Sequence, residues 1–355
     1  MKKKIIAVLF GGCSSEYEIS LQSAYAVLTH LDREKYDILP VGITREGNWF
    51  LYEGPLQKLE DDSWHQDPNC IPAVLSPDRL HHGLLRYGHD GYQILPVDGV
   101  FPVLHGKNGE DGTIQGLTEM AGIPLIGCGT MASSLCMDKD RAHILVKSIG
   151  IAVPESVSLH LSSAEQMPDE KTLCNLTRRL TYPLFVKPIR AGSSYGISKI
   201  YEKKELSSAV AKALEYDTEI IIEENIDGFE VGCAVMDDGK GGELIGRVDE
   251  IELAGGFFDY TKKYTEVDSK IHTPARIDPH TESRIKEAAG RIYRCLGCSG
   301  FARVDMFLTP NGQIVFNEVN TIPGFTSHSR FPKMMDGIGI SFGEILERLL
   351  QLAVD

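Results

Sequence analysis

Nowhere does this sequence hold the roughly 18 uninterrupted apolar residues that a membrane-spanning helix needs. Lys2, Lys3 and Lys4 precede IIAVLF, but that run is only six residues long and ends at Gly11-Gly12, too short for the core of a secretory signal. Positive charge is scarce: 36 Lys and Arg against 50 Asp and Glu leave a net charge of -14. That balance argues against a nucleic-acid or anionic membrane surface as the main partner, while leaving room for a local basic pocket that holds phosphates. Cysteine is present eight times but at irregular spacing, so the thiols are expected to be reduced and mostly buried. Cys295 and Cys298 form a CxxC, yet no second pair follows at zinc-site spacing. Internal repeats and low-complexity tracts are missing too. The expected compartment is the cytoplasm and the expected ligands are small molecules.

What is there suits a globular chain. The 355 residues are 42% hydrophobic and 24% charged, enough for two or three domains with a substantial core. KIIAVLF reads as a buried strand, GGCSSE as a glycine loop, and the next stretch as a helix with Leu21, Ala24, Leu28 and Leu31 on one side. Further strands are expected at 38–43, 97–103 and 124–126, with a helix over 113–121. Residues 1–130 therefore form an open α/β, Rossmann-like domain. A helix from Asp138 to the Gly150 stop opens a second domain, 131–224, whose strands at 183–187, 197–201 and 219–224 and helix at 205–216 suit a lid of α+β type. The third domain, 225–355, holds strands around Val231 and Val248, a glycine-rich loop from Ala254, a helix near 281–296, a hairpin and a last helix from Phe342.

FARVDMFLTPNGQIVFNEVN, residues 301–320, carries the strongest chemical signal. Asn311-Gly312 predicts a two-residue hairpin turn, which sets Pro310 against Gln313, Asp305 against Glu318 and Arg303 against Asn320. Opposed side chains on one sheet face have Cβ atoms roughly 5 Å apart, so one small ion can touch Asp305, Glu318 and Asn320 together. Hard oxygen ligands suit magnesium. The same residues also read as a solvated polar face, and a turn begun at Pro310 would shift the register and disperse them.

KPIRAGSSYGIS follows an apolar strand, so Lys187 stands at a strand end beside a glycine loop able to approach phosphate oxygens; the spacing is not that of a P-loop. In IIIEENIDGFEVG, Glu223, Glu224 and Glu230 are candidate acceptors for an adenine amino group or a ribose diol, though each alone reads as a solvated glutamate. In HGKNGEDGTIQG, His105 projects toward the edge where such sheets bind ligands, or only packs, while Glu110-Asp111 are expected to cap the helix that follows.

Taken in order, GGCSSEYEIS, HGKNGEDG, MDKDRAH, FVKPIRAGSSYG, IEENIDGFE, FDYTKKY, ARVDMF and NEVNTIPGFTSHS resemble the D-alanine:D-alanine ligase family of ATP-grasp enzymes, from Ile5 to about Leu349. The nearest likeness is to its vancomycin-resistance branch that makes D-alanyl-D-serine, the VanG type. The resemblance implies a three-domain ATP-grasp fold and an ATP-dependent ligase forming a C–N bond for altered peptidoglycan precursors. It implies that Lys139, Lys187, Ser194, Glu223, Asn225, Ile226, Glu230 and Lys263 hold ATP. It implies two magnesium ions, replaceable by manganese, on Asp305, Glu318 and Asn320. Glu16 then takes the ammonium of the first D-alanine beside His105, Ser193 and Tyr264 complete a hydrogen-bonded set, and Arg303 with the Gly324 N–H stabilises the oxyanion. A homodimer through the first domain is also implied.

Two positions bear on the second substrate. Lys263-Tyr264 stand as in the amine-using ligases, not the D-lactate-using ones. Thr326-Ser327-His328-Ser329 is followed by Arg330, which with Phe258 resembles the D-serine branch. Arg330, held by Asp249, would donate to the serine hydroxyl, with Ser329 nearby; the alternative is that Arg330 points to solvent or pairs with another carboxylate. A housekeeping D-alanine:D-alanine ligase and a catalytically inactive ATP-grasp ligand sensor are the rival readings.

Overall fold

The computed structural model describes residues 2–163, 166–253 and 269–354. In the first sheet, Lys4–Gly11 lies parallel to Tyr36–Ile43 on one side and Gly99–Val103 on the other. These strands are apolar almost throughout because both faces are covered. Helix Tyr17–His30 buries Leu21, Ala24 and Leu28 against them, as its spacing predicts. Four antiparallel strands, Trp49–Tyr52, Cys70–Leu75, Gly83–Gly88 and Gly91–Pro96, extend the sheet. Sequence periodicity does not single these out: Cys70–Leu75 contains Pro72, and Gly91–Pro96 is exposed along most of its length. Residues 124–126, expected as a strand, supply only an isolated bridge from Leu125 to Val100. Pro124 lacks a ladder donor there, and Gly127 turns the chain away at φ 125°.

The second sheet has the order Ser198–Ile200, Leu184–Pro188, Glu219–Glu224, Ser156–His160, antiparallel throughout. Helices Glu170–Leu176 and Leu206–Ala213 close over it, around a core of its own that includes Leu173, Val186, Leu206 and Ile220. The third sheet runs Ser269–His272, Glu243–Leu253, Phe229–Asp237, Phe301–Leu308, Ile314–Asn320, also antiparallel. Helix Pro279–Cys295 packs on it through Ile285, Ala289 and Ile292. The start of that helix is set by Asp278, which accepts from the His280 and Thr281 amides, with Pro279 in the first turn.

Helices Thr130–Met137 and Lys139–Ser148 also pack on the third sheet, through Ala132, Cys136, Ala142 and Val146. Aromatic contacts join the first sheet to the third: Phe101 meets Phe301 at 6.3 Å and Phe325 at 6.1 Å between ring centres. The last helix, Phe342–Val354, returns to the first sheet and buries Ile345, Leu349 and Val354 with Ile6 and Phe10. A side chain at Gly99 would come within 2.6 Å of Val354, so glycine is what permits that approach. Strands of the second and third sheets line the space described next, and Glu16 and Glu110, from loops beyond strands of the first sheet, line its smaller neighbour.

Candidate active site

The hairpin keeps the predicted pairing at its acidic end and departs from it at the turn. Gly312 N–H donates to Thr309 O and Thr309 N–H to Gln313 O, so Pro310, Asn311 and Gly312 form a three-residue loop with Gly312 left-handed at φ 77°. Proline takes the first central position because its fixed φ suits an ordinary turn. Leu308 consequently pairs with Ile314, and Met306 with Phe316. Asn317 is then an extra residue in its strand, and beyond this bulge Asp305 pairs with Glu318 and Arg303 with Asn320. The longer loop and the bulge each shift the register by one, and they cancel.

Asp305 is almost wholly buried. Arg303 Nη2 donates to it at 2.7 Å and Asn320 Nδ2 at 2.9 Å. Burial works most strongly against the charge of Arg303, but Asp305 and Asp249 together raise the guanidinium above its ordinary value. Glu318 faces Lys139, with Nζ 3.6 Å from Oε2.

Lys139 opens the helix whose first turn Asp138 caps by accepting from the Arg141 amide. Its ammonium also donates to Ala191 O at 3.0 Å, tying the glycine loop to this helix. One turn on, His143 Nε2 lies 3.1 Å from Asn317 O. Burial pushes His143 below its ordinary value, more strongly than Glu223 raises it, so the ring is neutral near pH 7 with its proton on Nε2. His143 is absent from the sequence-based site, although its i, i+4 spacing from Lys139 is a signal for it.

In the second sheet the Lys187 ammonium donates to Glu223 Oε1, and both groups are buried. Glu223 Oε2 is buried without a hydrogen-bond partner among the described residues, an acceptor awaiting a donor. Ser193 and Ser194 both adopt left-handed backbone, at φ 48° and 61°, which is costly for residues with a Cβ. That conformation aims the Ser193 hydroxyl at Glu16 Oε1, 177 positions earlier in the chain. A side chain at Gly192 would stand 2.7 Å from the Glu16 carboxylate.

His105 is buried, with Nδ1 2.9 Å from Ile322 O and Nε2 3.1 Å from the Ser23 hydroxyl. Glu110 corrects the capping expectation. Its Oε2 accepts from Gly106 N–H at 2.9 Å and its Oε1 from Ile322 N–H at 3.2 Å, so it ties the first sheet's loop to residue 322. Asp111 serves the helix start, accepting from Thr113 N–H.

Arg330 is the first residue of helix Arg330–Asp336 and its guanidinium is buried. Nε and Nη2 each donate to Asp249 at 2.8 Å, Nη1 donates to Glu230 at 3.0 Å, and Nη2 lies 3.2 Å from Asp305. Burial disfavours its charge, yet Asp249, Asp305 and Glu230 together raise it well above the ordinary arginine value. The Ser329 hydroxyl accepts from Thr326 N–H at 3.1 Å, and Gly324 lies close enough that an added Cβ would be 3.1 Å from that oxygen.

One cavity of about 400 Å³ gathers Lys139, Lys187, Ser194, Glu223, Asn225, Ile226, Glu230, Asp305, Glu318 and Arg330. A smaller one of about 40 Å³ adjoins it, lined by Glu16, Ser193, Lys139, Glu318 and Asn320. Neither is lined by His105, Asp249, Arg303, Gly324 or Ser329. Phe258, Lys263 and Tyr264 lie outside the described residues. Arg276, which donates to Glu250 at 2.5 Å and also lines the larger cavity, gives no local signal in sequence because its partner lies 26 positions earlier, on strand Glu243–Leu253.

The donor set suits the expected ligands. Glu223 Oε2 and Asn225 offer hydrogen-bonding groups beside apolar Phe185 and Ile226, as a base requires, and two lysines follow. Asp305 and Glu318 present hard oxygens from one hairpin face, as magnesium requires.

Residues 5–128 match the family model described as D-ala D-ala ligase N-terminus, and residues 145–351 the one described as D-ala D-ala ligase C-terminus. The Vancomycin/teicoplanin A-type resistance protein VanA of Enterococcus faecium is 44% identical, over 100% of this chain and 99% of that protein. A D-alanine--D-alanine ligase of Caldicellulosiruptor bescii is 41% identical, over 100% of this chain and 96% of its own length. The crystal structure of VanG D-Ala:D-Ser ligase from Enterococcus faecalis superposes with a TM-score of 0.90 at 57% identity, covering 99% of each chain.

Proposed function

This chain belongs to the D-alanine:D-alanine ligase family, and on that premise we propose that it joins D-alanine to D-serine in an ATP-dependent reaction. The observation that carries the reading is the single cavity in which Lys139, Lys187 and the unpartnered acceptor of Glu223 share a space with Asp305 and Glu318. The likeness to the D-Ala:D-Ser ligase of E. faecalis supports serine as the second substrate.

In this reading Glu223, Asn225 and Ile226 receive the adenine, Glu230 the ribose, and Lys139, Lys187, Ser194 and Lys263 the phosphates. Magnesium, with manganese as a substitute, would neutralise the triphosphate when bound by Asp305, Glu318 and Asn320. Glu16, fixed by Ser193, receives the ammonium of the first D-alanine beside His105, and Tyr264 completes that set. The carboxylate of this D-alanine takes the γ-phosphoryl group, giving D-alanyl phosphate and ADP. The amine of the second amino acid then attacks the acyl carbon, and phosphate leaves. Arg303 and the Gly324 N–H would stabilise the oxyanion, an effect worth about 3 kcal/mol per well-aimed donor. Arg330, gripped by Asp249, together with Phe258 and Ser329, would select the hydroxyl. We assign 1–130, 131–224 and 225–355 as the three domains and a cytoplasmic homodimer as the working form, serving altered peptidoglycan precursors and vancomycin resistance.

One observation favours D-alanine as second substrate instead. Among the described residues, most Arg330 N–H groups are directed at Asp249, Glu230 and Asp305, leaving one Nη1 hydrogen for a substrate. Incubation with ATP, magnesium and equimolar D-alanine and D-serine, with mass analysis of the dipeptides, decides between them. Mostly D-alanyl-D-alanine would refute the serine assignment, and no dipeptide would refute the ligase.

A further inference from the structure

Lys139 and His143 stand one helical turn apart, and both reach the strand Ile314–Asn320. Lys139 Nζ is 3.6 Å from Glu318, and His143 Nε2 is 3.1 Å from the carbonyl oxygen of Asn317, the extra residue of the bulge. This strand is at the edge of its sheet, paired on its inner side with Phe301–Leu308, and Asn317 has no partner residue in that pairing. One residue earlier the edge is closed differently, by Phe316 N–H donating to Ala152 O at 2.8 Å.

The His143 ring packs edge-on against Phe316 at 5.6 Å between centres. Its Nδ1 is buried with no hydrogen-bond partner among the described residues. For a side chain that only fills space, an orphaned nitrogen is a penalty that Phe or Met would avoid. The compensating feature is the bond from Nε2.

We propose that His143 is a positioning residue whose Nε2–H holds the Asn317 bulge and so keeps Glu318 opposite Asp305. Without the bulge the outer register would continue, Asp305 would face Asn317, and Glu318 would turn to the other side of the sheet. The helix thus fixes two successive residues of the strand, with Lys139 steering the carboxylate and His143 anchoring the backbone beneath it. Only the identity of the ion on that face rests on the ligase reading.

The test compares His143→Gln, whose amide nitrogen can reach the same carbonyl, with His143→Met, of similar length and without a donor. Manganese binding to the full chain with ADP is followed by electron paramagnetic resonance, and amide exchange over 315–320 by mass spectrometry. H143M is expected to weaken manganese binding at least tenfold and to speed exchange in that segment. The apparent magnesium requirement should rise while KM for D-alanine stays within twofold. H143Q should stay within threefold of the parent in all of these. Equal behaviour of H143M and the parent, or equal impairment of H143Q and H143M, overturns the proposal. If H143M fails to fold, H143F provides the donor-free comparison. A parent chain that makes no dipeptide defeats the ligase reading alone, because the exchange comparison still reports on the bulge.

Discussion

The guanidinium of Arg330 lies 3.2 Å from the carboxylate of Asp305 while gripping both oxygens of Asp249 at 2.8 Å. One side chain therefore links the first turn of a helix, the middle of the third sheet and the hairpin face proposed to hold metal. Its bond to Glu230 extends the link to the lining of the larger cavity. If Arg330 also chooses the second substrate as proposed, its variants should show changes in both selectivity and stability.

Arg330→Met leaves Asp249, Glu230 and Asp305 without a shared counter-charge. Removing one partner of a buried ion pair costs about 3 kcal/mol or more, so the thermal midpoint should fall by several degrees. The ratio of kcat/KM for D-serine over D-alanine should fall about tenfold or more, since a pocket loses discrimination when its donor to a hydroxyl is removed. An unchanged ratio would refute the role of Arg330 in choosing the second substrate.

Asp305→Asn keeps the size of the side chain while removing the charge and turning one of the two oxygens that accept from Arg303 into a donor. D-alanine-dependent phosphate release should drop roughly 100-fold or more with the fold retained, because the carboxylate proposed to hold metal is lost. Near-normal release in a folded D305N protein would remove Asp305 from the metal set.

Ser193→Ala deletes the hydroxyl that Glu16 accepts from. A hydrogen bond to a charged group contributes about 1.5 to 3 kcal/mol, so kcat/KM for D-alanine should fall about tenfold or more. Ser193→Thr should recover part of this. Alanine and threonine behaving alike would mean that the hydroxyl does no positioning.

Arg276 holds the Glu250 carboxyl below its ordinary value of 4.5 through a side-chain hydrogen bond, against the opposing effect of burial. A depressed carboxyl contributes stability that is fully present above its unfolded value and lost as pH falls through the folded one. The gap in thermal midpoint between the parent and Arg276→Gln should therefore be full at pH 7 and close as pH drops below 4.5. A gap of the same size in strong acid would show that Arg276 acts through something other than Glu250.

Much of the frame can be read locally. Helix 113–121 and strand 219–224 follow from apolar spacing and flanking turns, and Asp138 and Asp278 mark helix starts because a short carboxylate satisfies orphan N–H groups wherever it occurs. The antiparallel strands that extend the first sheet escape such reading, since a half-exposed strand interrupted by proline or glycine has no clear period. The hairpin is the instructive case. Asn311-Gly312 suggests a two-residue turn, Pro310 makes a three-residue one, and the metal-side pairing survives only because Asn317 bulges. No property of Asn317 in the sequence announces that bulge.

By itself, then, the sequence determined which segments alternate or spiral, where helices begin, and the order of motifs that places this chain in its family, because those depend on neighbours a few residues apart. Tertiary structure alone decided that Arg330 meets Glu230 and Asp305 besides Asp249 and that His143 anchors the Asn317 carbonyl, while the bond from Ser193 to Glu16 and the grip of Asp249 on Arg330 follow what the family resemblance implies. These contacts join residues distant in the chain, and a buried polar group takes whichever partner the packing of whole elements brings within reach.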